Sequence, residues 1–583
     1  MNYHPDNPVI IQSDKTILLE VDNPAYEEAR DELVRFAELE KSPEHIHTYK
    51  ISPLSLWNAA AAGLTAVHIL NALERFSKFD LPENVKKDIC DYIARYGRLK
   101  LIKRQDGLFL YSNDEYLITE IWHNKLTKPY LLKKVDSFTI EIHPLMRGHV
   151  KQALIKIGFP VEDLAGYVPG TYLDVSLLMT TRAGRPFNLR HYQVEAVANF
   201  HAGGGLKGGS GVIVLPCGAG KTMVGLGAIE RLKCETLILV TNIIALRQWI
   251  SEIIDKTNLP PDMIGEYSGE VKEIRPLTLA TYQILTYRRA KDEEFPHFSL
   301  VNRHNWGLII YDEVHLLPAP VFRITAEIQA KRRLGLTATL VREDGLEEDV
   351  FSLIGPKKYD VPWKELEREG WIATAICFEI RINLEEGQRL PYAVADDREK
   401  FRISSENPAK IPLVKTLIDR HEGESILVIG QYLKQLKFLA MILDAPLITG
   451  QVSNLERTRL YQGFKEGKIK VLVVSKVANF AIDLPQASVA IQVSGTFGSR
   501  QEEAQRLGRI LRPKREGTIA HFYSLVTRET KEQHFASNRQ LFLTEQGYKY
   551  IILDGEELLS GEKGARVVRL ADYVRRKKAA GSR

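Results

Sequence analysis

Val212-Ile-Val-Leu-Pro-Cys-Gly-Ala-Gly-Lys-Thr222 is a short β-branched run that turns, through small residues, into a helical period from Met223 to Leu232. Strand, tight loop and helix in that order make a phosphate cradle, because small residues let backbone N–H groups approach an anion at a helix amino terminus. Gly218, Ala219 and Gly220 supply the loop. Lys221 is placed to reach the β- and γ-phosphates of a nucleotide such as ATP, and the Thr222 hydroxyl to hold Mg²⁺. One position departs from the G-x-x-x-x-G-K-[ST] pattern: Leu215 stands where glycine is usual. A second glycine pattern, Gly203, Gly205 and Gly208, fits G-x-G-x-x-G but precedes its strand. A dinucleotide site needs the reverse order, so 202–211 reads as a flexible connector.

Working outward, further apolar runs appear at Thr236-Leu-Ile-Leu-Val240, Leu277-Thr-Leu-Ala280 and Leu308-Ile-Ile-Tyr311. A second series follows at Ile426-Leu-Val-Ile429, Val471-Leu-Val-Val474, Val489-Ala-Ile-Gln-Val493 and Ile519-Ala-His-Phe-Tyr523. Short continuous strands alternating with helical periods predict parallel sheets covered on both faces. Two α/β lobes joined by a charged, less regular connector is the simplest arrangement. Before them, residues 1–135 are mixed, with an alanine-rich helical stretch from Leu56 to Leu73.

The length, 583 residues, suggests about four folding units. Hydrophobic residues at 44% and charged residues at 26% exclude a disordered or fibrous chain. With 79 Lys+Arg against 74 Asp+Glu the net charge is +5, which neither demands nor forbids a nucleic acid. The four cysteines, Cys90, Cys217, Cys234 and Cys377, form no C-x-x-C pair, so zinc, an iron–sulfur cluster and a disulfide framework are not expected. The polar start, Met1 to Ile10, is unlike a signal peptide, and no apolar run reaches a membrane span of about 18 residues. A cytoplasmic, nucleoid-associated protein with no membrane partner is expected. Glu562 to Arg583 carries eight Lys/Arg; it reads as a solvated tail, with nucleic-acid contact as the alternative.

The strand Leu308 to Tyr311 ends in Asp312-Glu-Val-His315. Paired carboxylates after a buried strand supply the other half of a nucleoside triphosphatase: Asp312 to orient Mg²⁺, Glu313 to position and deprotonate water. Downstream, Gln505-Arg-Leu-Gly-Arg-Ile-Leu-Arg512 would place Gln505, Arg509 and Arg512 on one helix face, two arginines able to stabilise phosphoryl charge. The competing reading is a basic helix surface paired with Glu502 and Glu503.

These elements, in this order, resemble the superfamily 2 helicases. Leu189-Arg-His-Tyr-Gln193 is similar to the adenine-reading element, which brings Arg190 and Gln193 into the nucleotide site. Leu334-Gly-Leu-Thr-Ala-Thr339 is similar to the motif that couples hydrolysis to lobe movement. Val240-Thr-Asn242 with Gln248-Trp249, Ala280-Thr-Tyr282, and Ser475-Lys-Val477 through Asp483-Leu-Pro485 match strand-tracking elements, with Asp483 added to the nucleotide site. Pro216 to Gly220, the DEVH box and Arg342-Glu343-Asp344, similar to a "RED" element implicated in duplex opening, narrow the resemblance to the XPB family in its compact bacterial form. Gly498-Ser-Arg500, Thr48 to Trp57 and Tyr96 to Ile102 extend it over nearly the whole chain.

The resemblance implies two tandem RecA-like parallel-sheet lobes after smaller mixed α/β domains. The expected divisions are 1–135, an XPB-like amino-terminal domain; 136–181, in the position of a damage-recognition-like domain; 182–356, the first lobe; 357–412, a connector with a short thumb near 385–410; 413–535, the second lobe; and 536–583, an extension with the basic tail. It implies ATP and Mg²⁺ as cofactors, 3′-to-5′ movement on DNA in repair, and an associated nuclease as in archaeal relatives. Thr241, Arg247, Thr281 and Ser475 are the candidates for DNA backbone contacts. A duplex translocase with little unwinding, and a DNA-binding scaffold with vestigial hydrolysis, are the alternatives; Lys221, Thr222, Asp312, Glu313, Arg509 and Arg512 standing together disfavours the scaffold.

Overall fold

Thr236–Val240 and Leu277–Thr281 are buried at every position. A strand covered on both faces has no solvent side to alternate towards, which is why such runs read as unbroken apolar stretches. The computed structural model describes residues 3–41, 45–104, 107–143, 146–164, 170–204, 209–216, 218–287, 297, 305–316, 332–338, 350–351, 353–475, 487–496, 499–508, 510–511 and 519–560. The chain divides into two compact units, Met1–Leu366 with Glu545–Gly547, and Glu367–Thr544 with Tyr548–Arg583.

In the first unit, β1 (Val9–Ile11), β2 (Thr16–Glu20), β3 (Glu38–Lys41) and β4 (Ile46–Lys50) form an antiparallel sheet in the order β1-β2-β4-β3. The alanine-rich stretch behind it is two helices, Pro53–Ala61 and Ala66–Phe76, broken where Gly63 takes a φ of 92°. A mixed sheet follows, ordered β7-β8-β6-β5-β9, from β5 (Leu99–Arg104), β6 (Gly107–Tyr111), β7 (Leu131–Asp136), β8 (Thr139–Ile142) and β9 (Val161–Asp163). The expected border at 135/136 therefore falls inside the hairpin of β7 and β8. Its cause is local: β7 is an edge strand whose residues after Leu131 are exposed, so its composition mimics a linker.

The third sheet holds β10 (Ser210–Val214), β11 (Thr236–Val240), β12 (Ile264–Tyr267), β13 (Leu277–Thr281), β14 (Leu308–Asp312), β15 (Arg332–Thr337) and β16 (Lys357–Asp360). All pairs are parallel, in the order β12-β13-β11-β14-β15-β10-β16. This is a RecA-like lobe, and it extends past the expected limit at 356 because β16 closes its edge against β10. Helices α1 (His191–His201), α2 (Lys221–Leu232), α3 (Ile243–Lys256) and the single turn α4 (Tyr282–Leu285) carry the site described below. Of the glycine-rich connector, 202–204 makes a tight turn after α1 and 205–208 lies outside the described residues.

The second unit is built on another parallel sheet of seven strands, β19-β20-β18-β21-β22-β17-β23. Its strands are β17 (Thr374–Ile382), β18 (Ile426–Ile429), β19 (Leu447–Ile448), β20 (Val471–Val474), β21 (Val489–Gln492), β22 (Ile519–Thr527) and β23 (Tyr550–Asp554). The expected range of 413–535 is too short at both ends. β17, next to the edge, comes from the segment read as connector, and edge strand β23 from the segment read as extension. The stretch near 385–410 forms two helices, Glu386–Val394 and Asp397–Ser405. Among the described residues no single helix is long and apolar enough to cross a membrane.

His521 on β22 packs near His421 and is flanked by Phe378 and Tyr523. Burial first, then His421, push its pKa down to about 4, with Glu424 opposing. Its folded pKa lies below the usual value near 6.5, so the unfolded chain takes the proton first. The stabilisation is whole above pH 6.5 and is lost as pH falls towards 4, a cost of about 3 kcal/mol. Urea titrations from pH 7 to 4.5 are expected to show this loss, and His521→Gln to flatten it; an unchanged slope in the variant would refute the assignment.

Candidate functional site

The site lies at the carboxyl ends of β10, β14 and β15, neighbours in the first lobe's sheet, where the loops of a parallel sheet converge. Gly218 (φ 86°) and Gly220 (φ 79°) turn the loop after β10 into α2 through left-handed backbone. Gly220 admits no side chain, since a Cβ there would come within 2.6 Å of Gln193 Nε2. That amide donates to the Ala219 carbonyl at 2.8 Å, and the Tyr192 hydroxyl donates to the same oxygen at 2.8 Å. Gln193 Oε1 accepts from the Arg190 backbone at 2.9 Å, and Arg190 Nη1 donates to the Tyr192 hydroxyl at 3.0 Å. The first turn of α1 thus holds the loop from behind. The sequence points to Arg190 and Gln193; Tyr192, 1% exposed, lies in the same element but is given no role.

Lys221, first residue of α2, places Nζ 2.9 Å from Glu313 Oε1. Asp312 ends β14 with its carboxylate accepting from Trp249 Nε1 at 2.8 Å and from the Glu313 backbone at 3.1 Å. Glu313 takes a left-handed φ of 50°, unusual for a residue with a side chain and typical of functional turns. Burial, and then the adjacent Glu313 carboxylate, push the Asp312 carboxyl up to about 6, against the pull of Lys221 and the Trp249 bond. His315 Nδ1 lies 2.6 Å from Thr337 Oγ1 at the end of β15 and 3.5 Å from Glu313 Oε2. One cation, two carboxylates and a glycine cradle at a helix amino terminus can hold a nucleoside triphosphate. The oxygen donors of Thr222 and Asp312 suit a hard divalent ion such as Mg²⁺.

Of the candidate DNA contacts, Thr281 is 5% exposed and its hydroxyl caps α4 by accepting from Ile284 N. Thr241 Oγ1 accepts from Asn242 Nδ2 at 3.2 Å, while Asn242 caps α3. Arg247 is exposed and paired with Glu270 at 2.6 Å and Glu266 at 3.5 Å. Ser475, just past β20, is 4% exposed. Arg342, Glu343, Asp344, Asp483, Arg509 and Arg512 lie outside the described residues.

Gln505 sits on α5 (Arg500–Gly508), which stops before Ile510 and Leu511. The expected helix through Arg512 is therefore shorter, and Gln505 is buried at 6% exposure. Glu503 and Arg506 on α5 are buried too. Glu503 accepts from Gln492 at 2.9 Å and from the Tyr550 hydroxyl at 3.2 Å, and pairs with Arg539 at 3.4 Å. Arg506 pairs with Glu502 at 3.3 Å. The competing reading, a surface pairing with Glu502 and Glu503, gives way to a largely interior network.

A RecA-like lobe with this loop, lysine and carboxylate pair, followed in the chain by a second such sheet, defines a two-lobed helicase-type ATPase. Residues 366–570 match the ERCC3/RAD25/XPB C-terminal helicase family, 186–342 the type III restriction enzyme res subunit, and 9–136 a helicase conserved C-terminal domain. The chain is 54% identical over 95% of its length to the DNA 3'-5' helicase XPB of Mycobacterium tuberculosis, covering 99% of that protein. It is 53% identical over 95% to the protein of the same name from Kineococcus radiotolerans, covering 98%. The Saccharomyces cerevisiae general transcription and DNA repair factor IIH helicase/translocase subunit XPB/SSL2 is 31% identical over 94% of this chain and 72% of its own. The chain belongs to the XPB family of DNA helicases.

Proposed function

We propose that this chain hydrolyses Mg²⁺-bound ATP to move 3′ to 5′ along DNA and separate its strands, in the service of DNA repair in the cytoplasm. The observation that carries this reading is the juxtaposition of Lys221, Glu313 and Asp312 at one loop. Lys221 neutralises the β- and γ-phosphates, Thr222 and Asp312 hold the cation, and Glu313 positions and deprotonates the attacking water. The glycines aim backbone N–H groups at phosphate, and Gln193 holds the loop that presents them. Arg509 and Arg512 are assigned, on the resemblance alone, to counter charge on the transferring phosphoryl group.

Displacement of a labelled strand from 3′-tailed and 5′-tailed duplexes, with ATPase followed in the same samples, tests the reading. Displacement from the 3′ tail only is expected, with Lys221→Ala lowering hydrolysis by about 10²–10³-fold. DNA-stimulated hydrolysis without displacement on either tail would favour a duplex translocase. Unaltered hydrolysis in Lys221→Ala would remove the ATP site itself.

A further inference from the structure

Thr241 and Thr281 stand at the carboxyl ends of paired strands β11 and β13, and each leads into a helix. From each helix one buried aromatic reaches the same residue. Trp249 of α3, 2% exposed, donates its indole N–H to the Asp312 carboxylate at 2.8 Å. Tyr282 of α4, 3% exposed, donates its hydroxyl to the Asp312 main-chain carbonyl at 2.8 Å. The Trp249 ring also lies against Gly225 of α2, where a Cβ would come within 2.5 Å of it. The indole is thus wedged between the phosphate-loop helix and the carboxylate at the end of β14.

We propose that Trp249 and Tyr282 are positioning residues that transmit engagement of a DNA strand at the Thr241 and Thr281 loops to Asp312. This inference rests on the function proposed above. A close-packed interior leaves no slack around a buried indole, and a shift of α3 or α4 either carries Asp312 with it or leaves a buried donor unpaired. Either way, strand binding and the orientation of Asp312 are linked. Linkage is reciprocal: DNA tightens nucleotide binding by the factor with which nucleotide tightens DNA binding.

The test uses the full chain, Mg²⁺ with the fluorescent nucleotide mant-ADP, and single-stranded oligothymidylate. Affinity for mant-ADP is titrated with and without the oligonucleotide, and affinity for the oligonucleotide with and without Mg²⁺·mant-ADP. Wild type is expected to show coupling of about tenfold in both directions. Trp249→Phe keeps an aromatic ring in the core but lacks the N–H and the distal indole carbons that meet Gly225; it is expected to reduce the coupling to under about threefold. Tyr282→Phe removes only a hydroxyl, and the double variant is expected to show none. Preserved coupling in the double variant overturns the proposal. So does an affinity that falls equally with and without DNA, because a purely structural role predicts that. A wild type that binds mant-ADP without any coupling overturns it as well. Failure of wild type to bind mant-ADP would instead bring down the proposed ATP site, which Lys221→Ala tests separately.

Discussion

Glu313→Gln is expected to slow DNA-stimulated ATP turnover by about 10³-fold while nucleotide affinity stays within about threefold. Glutamine keeps the length and shape of the side chain and accepts no proton. The left-handed backbone at Glu313 aims the group, and the Asp312 carboxylate that receives the Glu313 N–H fixes the turn. Neither depends on the charge removed. The substitution does remove the ion pair to Lys221, which leaves the ammonium for phosphate and so does not weaken binding. Turnover is read by phosphate release and binding by mant-ATP fluorescence. A variant retaining more than a tenth of wild-type turnover would rule out Glu313 as the base.

The second large effect concerns folding. Lys410→Met is expected to destabilise the second unit by about 3–5 kcal/mol. Lys410 Nζ lies 2.6 and 2.8 Å from the two oxygens of Glu532, and both side chains are fully enclosed, at 1% and 0% exposure. The ammonium also donates to the carbonyls of Val493 at 3.0 Å and Ser405 at 3.2 Å. Without it Glu532 keeps the Thr527 backbone N–H, too little for a buried charge. The double change Lys410→Met with Glu532→Leu is expected to recover most of the loss, because a matched apolar pair avoids the desolvation cost. Urea midpoints of the single and double variants measure both steps; a single variant melting with wild type would show the pair to be dispensable.

Four strands of each lobe, the glycine loop with its lysine and the carboxylate pair were legible in the sequence because each is a local pattern. Continuous apolar runs mark strands buried on both faces, and the order strand, glycines, lysine, helix is specific. What stayed hidden depends on distant partners. In β17, Glu379 and Arg381 make the segment look like a charged connector, yet Glu379 is 2% exposed. It is satisfied by Arg381 at 2.5 Å and by Gln540 at 2.6 Å, far along the chain. Trp249 reads only as part of a strand-tracking element; it shares the buried face of α3 with Leu246 and Ile253, and no local pattern names the partner of its N–H. Thr281 and Ser475 sit in motif-like positions, but their burial was not visible in hydroxyl-bearing residues that are as common on surfaces. Glu503 enters only the competing surface reading and Arg506 none, because spacing along one helix is silent on the partners that bury them, Gln492, Tyr550 and Arg539.

The chain returns late to places it has already visited. Residues Glu545–Gly547 belong to the first unit, where Gln546 Oε1 receives the Trp363 backbone N–H at 3.1 Å and Gly547 sits where a Cβ would meet Arg30 Nη1 at 2.7 Å. A few residues later β23 closes the edge of the second sheet against β17. During synthesis the Trp363 amide and the open edge of β17 therefore wait for roughly ten to thirty seconds at ordinary elongation rates before their partners exist. Over that interval the Trp363 amide lacks its Gln546 acceptor, and β17, once β22 has paired with it, still lacks its other neighbour. One short stretch of chain completes both units, so a ribosome that stalls shortly before residue 545 leaves neither of them complete.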